Sequence, residues 1–445
     1  MRSGITPCGL RYAVRRSGHS VAYCALTIGC GTRDEAGYPA GIAHFVEHTL
    51  FRGTRRKSAS VISSYLDRLG GELNAYTTKE EIVLHATVLK EDLGKAARLL
   101  FELATEATFP EKEIETERGV VIDEIISYKD NPAEDVYDRF ESLLFEGSPL
   151  SSPILGTRAS VKKITPDMPR AFVAEKFVPQ NMAFTVVADI EEARLEKTVR
   201  DLIARALPQR AGSTLPNASL RDPVRANALP QRAESTLPNA SLRDPVRANA
   251  FGSVLPAPNL VSAFNKVVDK RHHEANAVVG GRAPSLYEMP DRLVCAMLAN
   301  VLGGPASNSL LNAELREKRG WVYGIESSYT QYADTGILTI TFGCDRPNLE
   351  GCLEAIDKIL KHLQEVPFTD RQLKAYRKQL MGQLAISNES GEAQCLSMGK
   401  SMIAWGAIAS PEEIRARILA ITPAQLQEMA RRLFGPGRLS TLVYL

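Results

Sequence analysis

Apolar and polar positions alternate along several short stretches of the chain. Ile82, Leu84, Ala86 and Val88 occupy every second position, as do Met182, Phe184 and Val186. A period of two predicts strands with one face against a core. The runs Gly336–Cys344 and Ser440–Tyr444 are apolar and rich in β-branched residues and predict two more strands. Leu349, Leu353, Ile356, Leu360 and Leu363 recur at helical spacing, which places one amphipathic face on a sheet. A Pro-Phe-Thr-Asp break follows, and a second helix is predicted from about Arg371. Residues 111–130 predict a helix charged at both ends, with Val120, Val121, Ile122, Ile125 and Ile126 between; so apolar a middle is expected to be buried. Strands and helices alternate in both halves of the chain, so each half reads as α+β, a sheet covered by helices.

Between the halves the pattern stops. Residues 207–228 and 229–250 are a tandem duplication of LPQRAGSTLPNASLRDPVRANA, differing only at Gly212 and Glu234. Proline, asparagine, serine and arginine offer no apolar face, so the repeat reads as a linker insertion. A basic docking arm is the functional alternative. The organisation expected is a domain at 1–206, a linker at 207–255 and a second domain at 256–445. A chain of 445 residues is long for one core and suits two.

Composition narrows the function by exclusion. A net charge of +2 gives no reason to invoke nucleic acid or an anionic membrane. No apolar run approaches the roughly 20 residues of a membrane span. The first residues lack the apolar core of a secretory signal, so a cytoplasmic protein is expected, unless a targeting segment has been removed. Seven scattered cysteines without a C-x-x-C pair read as reduced, mostly buried thiols. His272-His273 reads as a solvated strand end, and His19, His85 and His362 have no partner visible in the sequence.

The candidate chemistry begins at His44-Phe45-Val46-Glu47-His48, which reads H-x-x-E-H within a helical stretch. Residues four apart stand about 40° apart around a helix, so His44 and His48 can bind one metal. Glu47 lies beside that face and can reach a metal-activated water without being a ligand. A catalytic tetrahedral zinc needs a third protein ligand and one open position. Glu117 and Glu124 share a helix face in 111–130, and two glutamates on a buried face need a cation.

The stretches GIAHFVEHTLFRGT at 41–54 and GGELNAYTTKEEIVLHATVL at 70–89, with the glutamates at 117 and 124, resemble the pitrilysin/insulinase family of zinc peptidases. The branch they are most similar to is the half-length one that includes the mitochondrial processing peptidase. The resemblance implies two structurally related domains, each a mainly antiparallel sheet covered by helices. It implies one zinc per chain held by His44, His48 and Glu124, with Glu47 as the base and Glu117 supporting the ligands. Asn74 and Ala75 match cleft positions where an extended peptide can pair with an edge strand. In LREKRGWVYGIESSYTQYADTG at 315–336, Arg316 and Tyr323 match an arginine and a tyrosine directed at substrate. A phenol and a guanidinium suit a developing oxyanion and a peptide carbonyl. The activity implied is metalloendopeptidase cleavage of peptides and unfolded polypeptide segments. Two chains are expected to close as a clamshell, a homodimer, with a heterodimer containing an inactive relative as the alternative. The competing reading is a catalytically silent structural or peptide-binding subunit.

Overall fold

The computed structural model describes residues 1–207 and 261–445. Apart from Leu207, the duplicated segment lies outside the described residues, as does most of the 207–255 linker. The first half builds a sheet from β1 (Arg2–Ile5), β2 (Arg11–Arg16), β3 (Val21–Ile28), β4 (Glu72–Thr77), β5 (Ile82–Leu89) and β6 (Met182–Ala188) in the order β1-β2-β6-β3-β5-β4. The second half builds one from β7 (Asn265–Val268), β8 (Glu274–Ala283), β9 (Val322–Gln331), β10 (Gly336–Asp345) and β11 (Ser440–Tyr444) in the order β7-β11-β8-β10-β9.

The two orders superpose strand for strand once β1 is set aside. β2 runs parallel to β6 as β7 does to β11, and the other pairs are antiparallel. The halves are therefore two related α+β domains. β4 and β9, each the final strand at one side of its sheet, are counterparts in this repeat. Leu93–Glu106 and Glu192–Ala206 cover the first sheet, while Asp291–Gly303, Leu349–Glu365 and Pro423–Phe434 build the second core.

Four further helices, or their sequence neighbours, position the site: α1 (Ile42–Leu50), α2 (Glu111–Lys129), α3 (Pro132–Leu144) and α4 (Gly391–Trp405). α3 leaves its own domain and packs Val136, Phe140 and Leu144 against Val278 and Leu442 of the second sheet. α4 does the reverse, setting Cys395, Met398 and Met402 on Ala13, Ala25, Val83 and Val187. Each domain thus lends a helix to the other's open sheet face. Gly399 allows the close approach, since a Cβ there would meet Thr27 Oγ1 at 2.3 Å. The exchange explains why β6, which alternates in sequence like a half-buried strand, is buried at every position.

Helix α2 departs from the expectation of burial. Ile114, Val121 and Ile125 are buried, but Val120 and Ile126 are exposed. Among the described residues no helix is long and apolar enough to cross a membrane. All seven cysteines are free thiols, and all but Cys8 are buried.

Candidate metal centre

The helix that carries H-x-x-E-H is set in place from its N-terminus. Gly41 precedes α1 at φ +90°, a conformation that glycine adopts without a Cβ penalty. A Cβ there would also meet Leu155 O at 2.7 Å. The Glu35 carboxylate accepts the N–H groups of Gly41 and Ala43, each at 2.9 Å. It satisfies donors that the helix start leaves open and places negative charge at the positive end of the dipole. Burial raises Glu35 to about 7 against the pull of those two bonds. Ile42, Phe45, Val46 and Leu50 anchor the helix in the core. The opposite face, with His44, Glu47 and His48, meets α2 and β4.

One ligand atom each from His44, His48 and Glu124 lies within 4.8 Å of the others. Glu124 Oε2 is 3.3 Å from His48 Nε2 and 3.8 Å from His44 Nε2. Zinc–nitrogen and zinc–oxygen bonds of about 2.0–2.2 Å in a tetrahedron separate neighbouring donors by about 3.4 Å. That buried Glu124 oxygen has no well-aligned hydrogen bond and faces both imidazoles, so it can serve as a ligand. Two imidazoles and a carboxylate are also the donor set that zinc takes in hydrolytic sites. The residues present therefore fit zinc.

The second layer is built around His48. Its Nδ1 faces Glu117 Oε2 at 3.1 Å, and Arg52 Nη2 lies 2.7 Å from the other oxygen of Glu117. Glu117 is 1% exposed whereas Glu124 is 42% exposed. The cation expected for Glu117 is thus supplied by Arg52, and Glu117 contacts His48 without joining the His44, His48 and Glu124 trio. A carboxylate on the far nitrogen fixes the tautomer and orientation of a metal-binding imidazole. Burial lowers His44 to about 4, reinforced by His48 and opposed by Glu124, which keeps His44 in the neutral form that a metal needs. Burial opposes charge on His48, but Glu124 and Glu117 outweigh it and raise its pKa.

Glu47 is half-buried and stands outside the ligand trio. Burial raises its pKa, while a 2.5 Å hydrogen bond from Thr77 Oγ1 opposes the rise. Asn74 and Ala75 lie on β4, the terminal strand beside α1. Ala75 packs toward the core with Leu73, and Asn74 alternates to the other face, opposite His85. His85 has a distant partner, Glu392 of α4, at 3.1 Å.

The structure does not bring Arg316 or Tyr323 to this cluster within one chain. Arg316 lies in a π-helical turn, Asn312–Lys318, a rare form often found at functional sites. Its charged neighbours satisfy one another: Glu314 pairs with Lys318 and Arg319. Arg316 is exposed; its carbonyl accepts Gly320 N–H at 3.1 Å, while its guanidinium has no hydrogen bond or ion pair among the described residues. Tyr323 is 57% exposed and donates to Asp345 Oδ1 at 2.6 Å. That bond, more than burial, pushes its phenol up to about 12. Tyr323 is therefore no core residue.

Three contributors escaped the sequence reading. Arg52 stands four residues after His48, a spacing that could have flagged it. Thr77 and Glu35 act through contacts that no local pattern announces.

An H-x-x-E-H helix facing a glutamate helix in a two-domain α+β chain is the architecture of the inverted-motif metallopeptidases. Comparison with known proteins agrees. Residues 11–158 match the family model described as insulinase (peptidase family M16), and residues 163–380 match that of the peptidase M16 inactive domain. The chain belongs to the insulinase family, M16. An uncharacterized zinc protease of Streptomyces coelicolor is 29% identical over 91% of this chain and 81% of that protein. Another, from Bacillus subtilis, is 27% identical over 92% of this chain and 89% of that protein. A protease from Helicobacter pylori has the same fold, with TM-score 0.81 at 20% identity, over 100% of this chain and 99% of that one. Consistent with the second model's description, the metal-type cluster found among the described residues lies in the first domain.

Proposed function

We propose that this protein is a zinc metalloendopeptidase that hydrolyses peptides and unfolded polypeptide segments. The observation carrying the proposal is the convergence of His44, His48 and Glu124 donors beside a carboxylate, Glu47, that is not a member of the trio. Zinc held by these three residues, one per chain, would polarise the scissile carbonyl and lower the pKa of a water.

The chain's own groups account for the remaining needs. Glu47 takes a proton from the attacking water and returns it to the leaving amine. Glu117 holds His48 in its ligating tautomer. The free side of β4, with Asn74 and Ala75, offers backbone groups to an extended peptide. Tyr323 and Arg316 donate to the developing oxyanion and to a substrate carbonyl. Among the described residues neither side chain is joined to the His44 cluster, Tyr323 being bonded to Asp345 instead, so in this reading they act from a second copy across a clamshell homodimer. A heterodimer with an inactive relative would serve the same geometry. An intact ligand set beside an intact base favours an enzyme over a silent structural or peptide-binding subunit. The zinc-protease naming of the Streptomyces and Bacillus relatives supports the same reading.

The test is digestion of an unstructured peptide followed by mass spectrometry. Cleavage at internal bonds is expected, with loss on chelation and return on adding zinc. An intact peptide after zinc loading, or cleavage indifferent to chelation, contradicts the proposal.

A further inference from the structure

We infer that Thr77 is the positioning residue for Glu47, an inference that rests on reading Glu47 as the base. Among the described residues, Thr77 supplies the hydrogen bond to the Glu47 carboxylate, Oγ1 to Oε2 at 2.5 Å. This is the short end of a hydroxyl–carboxylate bond, the stronger charge-assisted kind. It engages one carboxylate oxygen and leaves the other for proton transfer. A glutamate side chain loses substantial rotamer freedom when ordered, so a base without such a bond samples orientations that cannot reach the water.

Thr77 is itself well held. As a β-branched residue it has restricted χ1 freedom, and it ends β4 opposite Ile82. The turn that follows is pinned on three sides. Thr78 O and Lys79 O accept the backbone N–H groups of Thr32 and Arg33 at 3.2 and 3.0 Å. Lys79 Nζ bonds Ser152 O and lies 3.2 Å from Glu141 Oε2. The Glu80 carboxylate accepts Ala333 N–H from the second domain at 2.9 Å, and it also pairs with Arg33. Arg33 in turn grips Asp334 through both guanidinium branches, at 3.1 and 2.9 Å. The second domain thus steadies the base of its own chain, in addition to the role proposed for it across the dimer.

The alternative is that the bond only satisfies a half-buried carboxylate. Steady-state kinetics and the crystal structure of the zinc-loaded Thr77→Val protein separate the two. Displacement of a catalytic group by about 1 Å costs up to about 10² in rate. The expectation is a kcat lower by about 10–100-fold, KM within about twofold and unchanged zinc content. Thr77→Ser should recover most of the rate, and the Val variant's crystal structure should show the Glu47 carboxylate reoriented or spread over several orientations. Thr77→Ala serves the same comparison if the Val variant does not fold. A kcat within about threefold of wild type, a Ser variant no better than Val, or an unmoved Glu47 overturns the inference. Glu47→Gln protein run in parallel keeps the failures apart. If that protein turns over normally, the reading of Glu47 is wrong. If it is inactive while Thr77→Val is fully active, only the role of Thr77 falls.

Discussion

Glu47→Gln protein should load zinc as the wild type does and cleave peptides about 10²–10⁴-fold more slowly, the range expected when a positioned general base is removed. The amide keeps the size of the carboxylate, and its oxygen can still accept from Thr77. The ligand atoms of His44, His48 and Glu124 are untouched, so metal content should not follow activity down. What disappears is proton transfer. Burial raises the pKa of Glu47 more than the Thr77 bond lowers it, which brings the carboxylate closer to the proton affinity useful near neutral pH. Single-turnover cleavage by the zinc-loaded variant measures the effect. A near-normal rate would mean that another group moves the proton.

The second large effect is expected at Tyr323. Tyr323→Phe should lower turnover by about 10²–10³-fold if the phenol donates to the oxyanion. In the free chain that phenol is spent on Asp345, so it must change partner when substrate and a second copy meet. Because the hydrogen-bond partner of Tyr323 among the described residues is Asp345 and not the His44, His48 and Glu124 cluster of its own chain, two inactive variants should complement each other. Glu47→Gln and Tyr323→Phe chains, mixed under conditions that exchange subunits, should regain one of the two sites of a wild-type dimer. Verified mixed dimers as inactive as their parents would remove Tyr323 from the reaction in trans and the clamshell with it.

Local periodicity carried the fold a long way. Strand β11 and the helix beginning at Leu349 follow directly from apolar spacing. The pairing of His44 with His48 is helix geometry and nothing more. Glu124 was reachable through family spacing, since no local signal joins residues on separate helices. What escaped was long-range. The destination of α4 is invisible in its sequence: Cys395, Met398 and Met402 mark an apolar face but not which sheet it covers. His85 looked solitary because its partner, Glu392, rides on that same exchanged helix. The apolar middle of α2 suggested full burial, yet Val120 and Ile126 stay exposed, and the charge of Glu117 is met by Arg52. The clamp on the turn after Thr77 draws in Thr32–Arg33, Glu141, Ser152 and Ala333–Asp334, and a one-dimensional pattern cannot register it. The π-helical turn bearing Arg316 is likewise a tertiary outcome, with no periodicity of its own to read.

The most direct test of the central claim is the zinc stoichiometry of the purified protein beside that of its His44→Ala and Glu124→Gln variants, measured by plasma mass spectrometry on folded material. A three-ligand site predicts about one zinc per chain in the wild type and loss of most of it in both variants. Full retention of zinc by both variants would contradict the assigned centre.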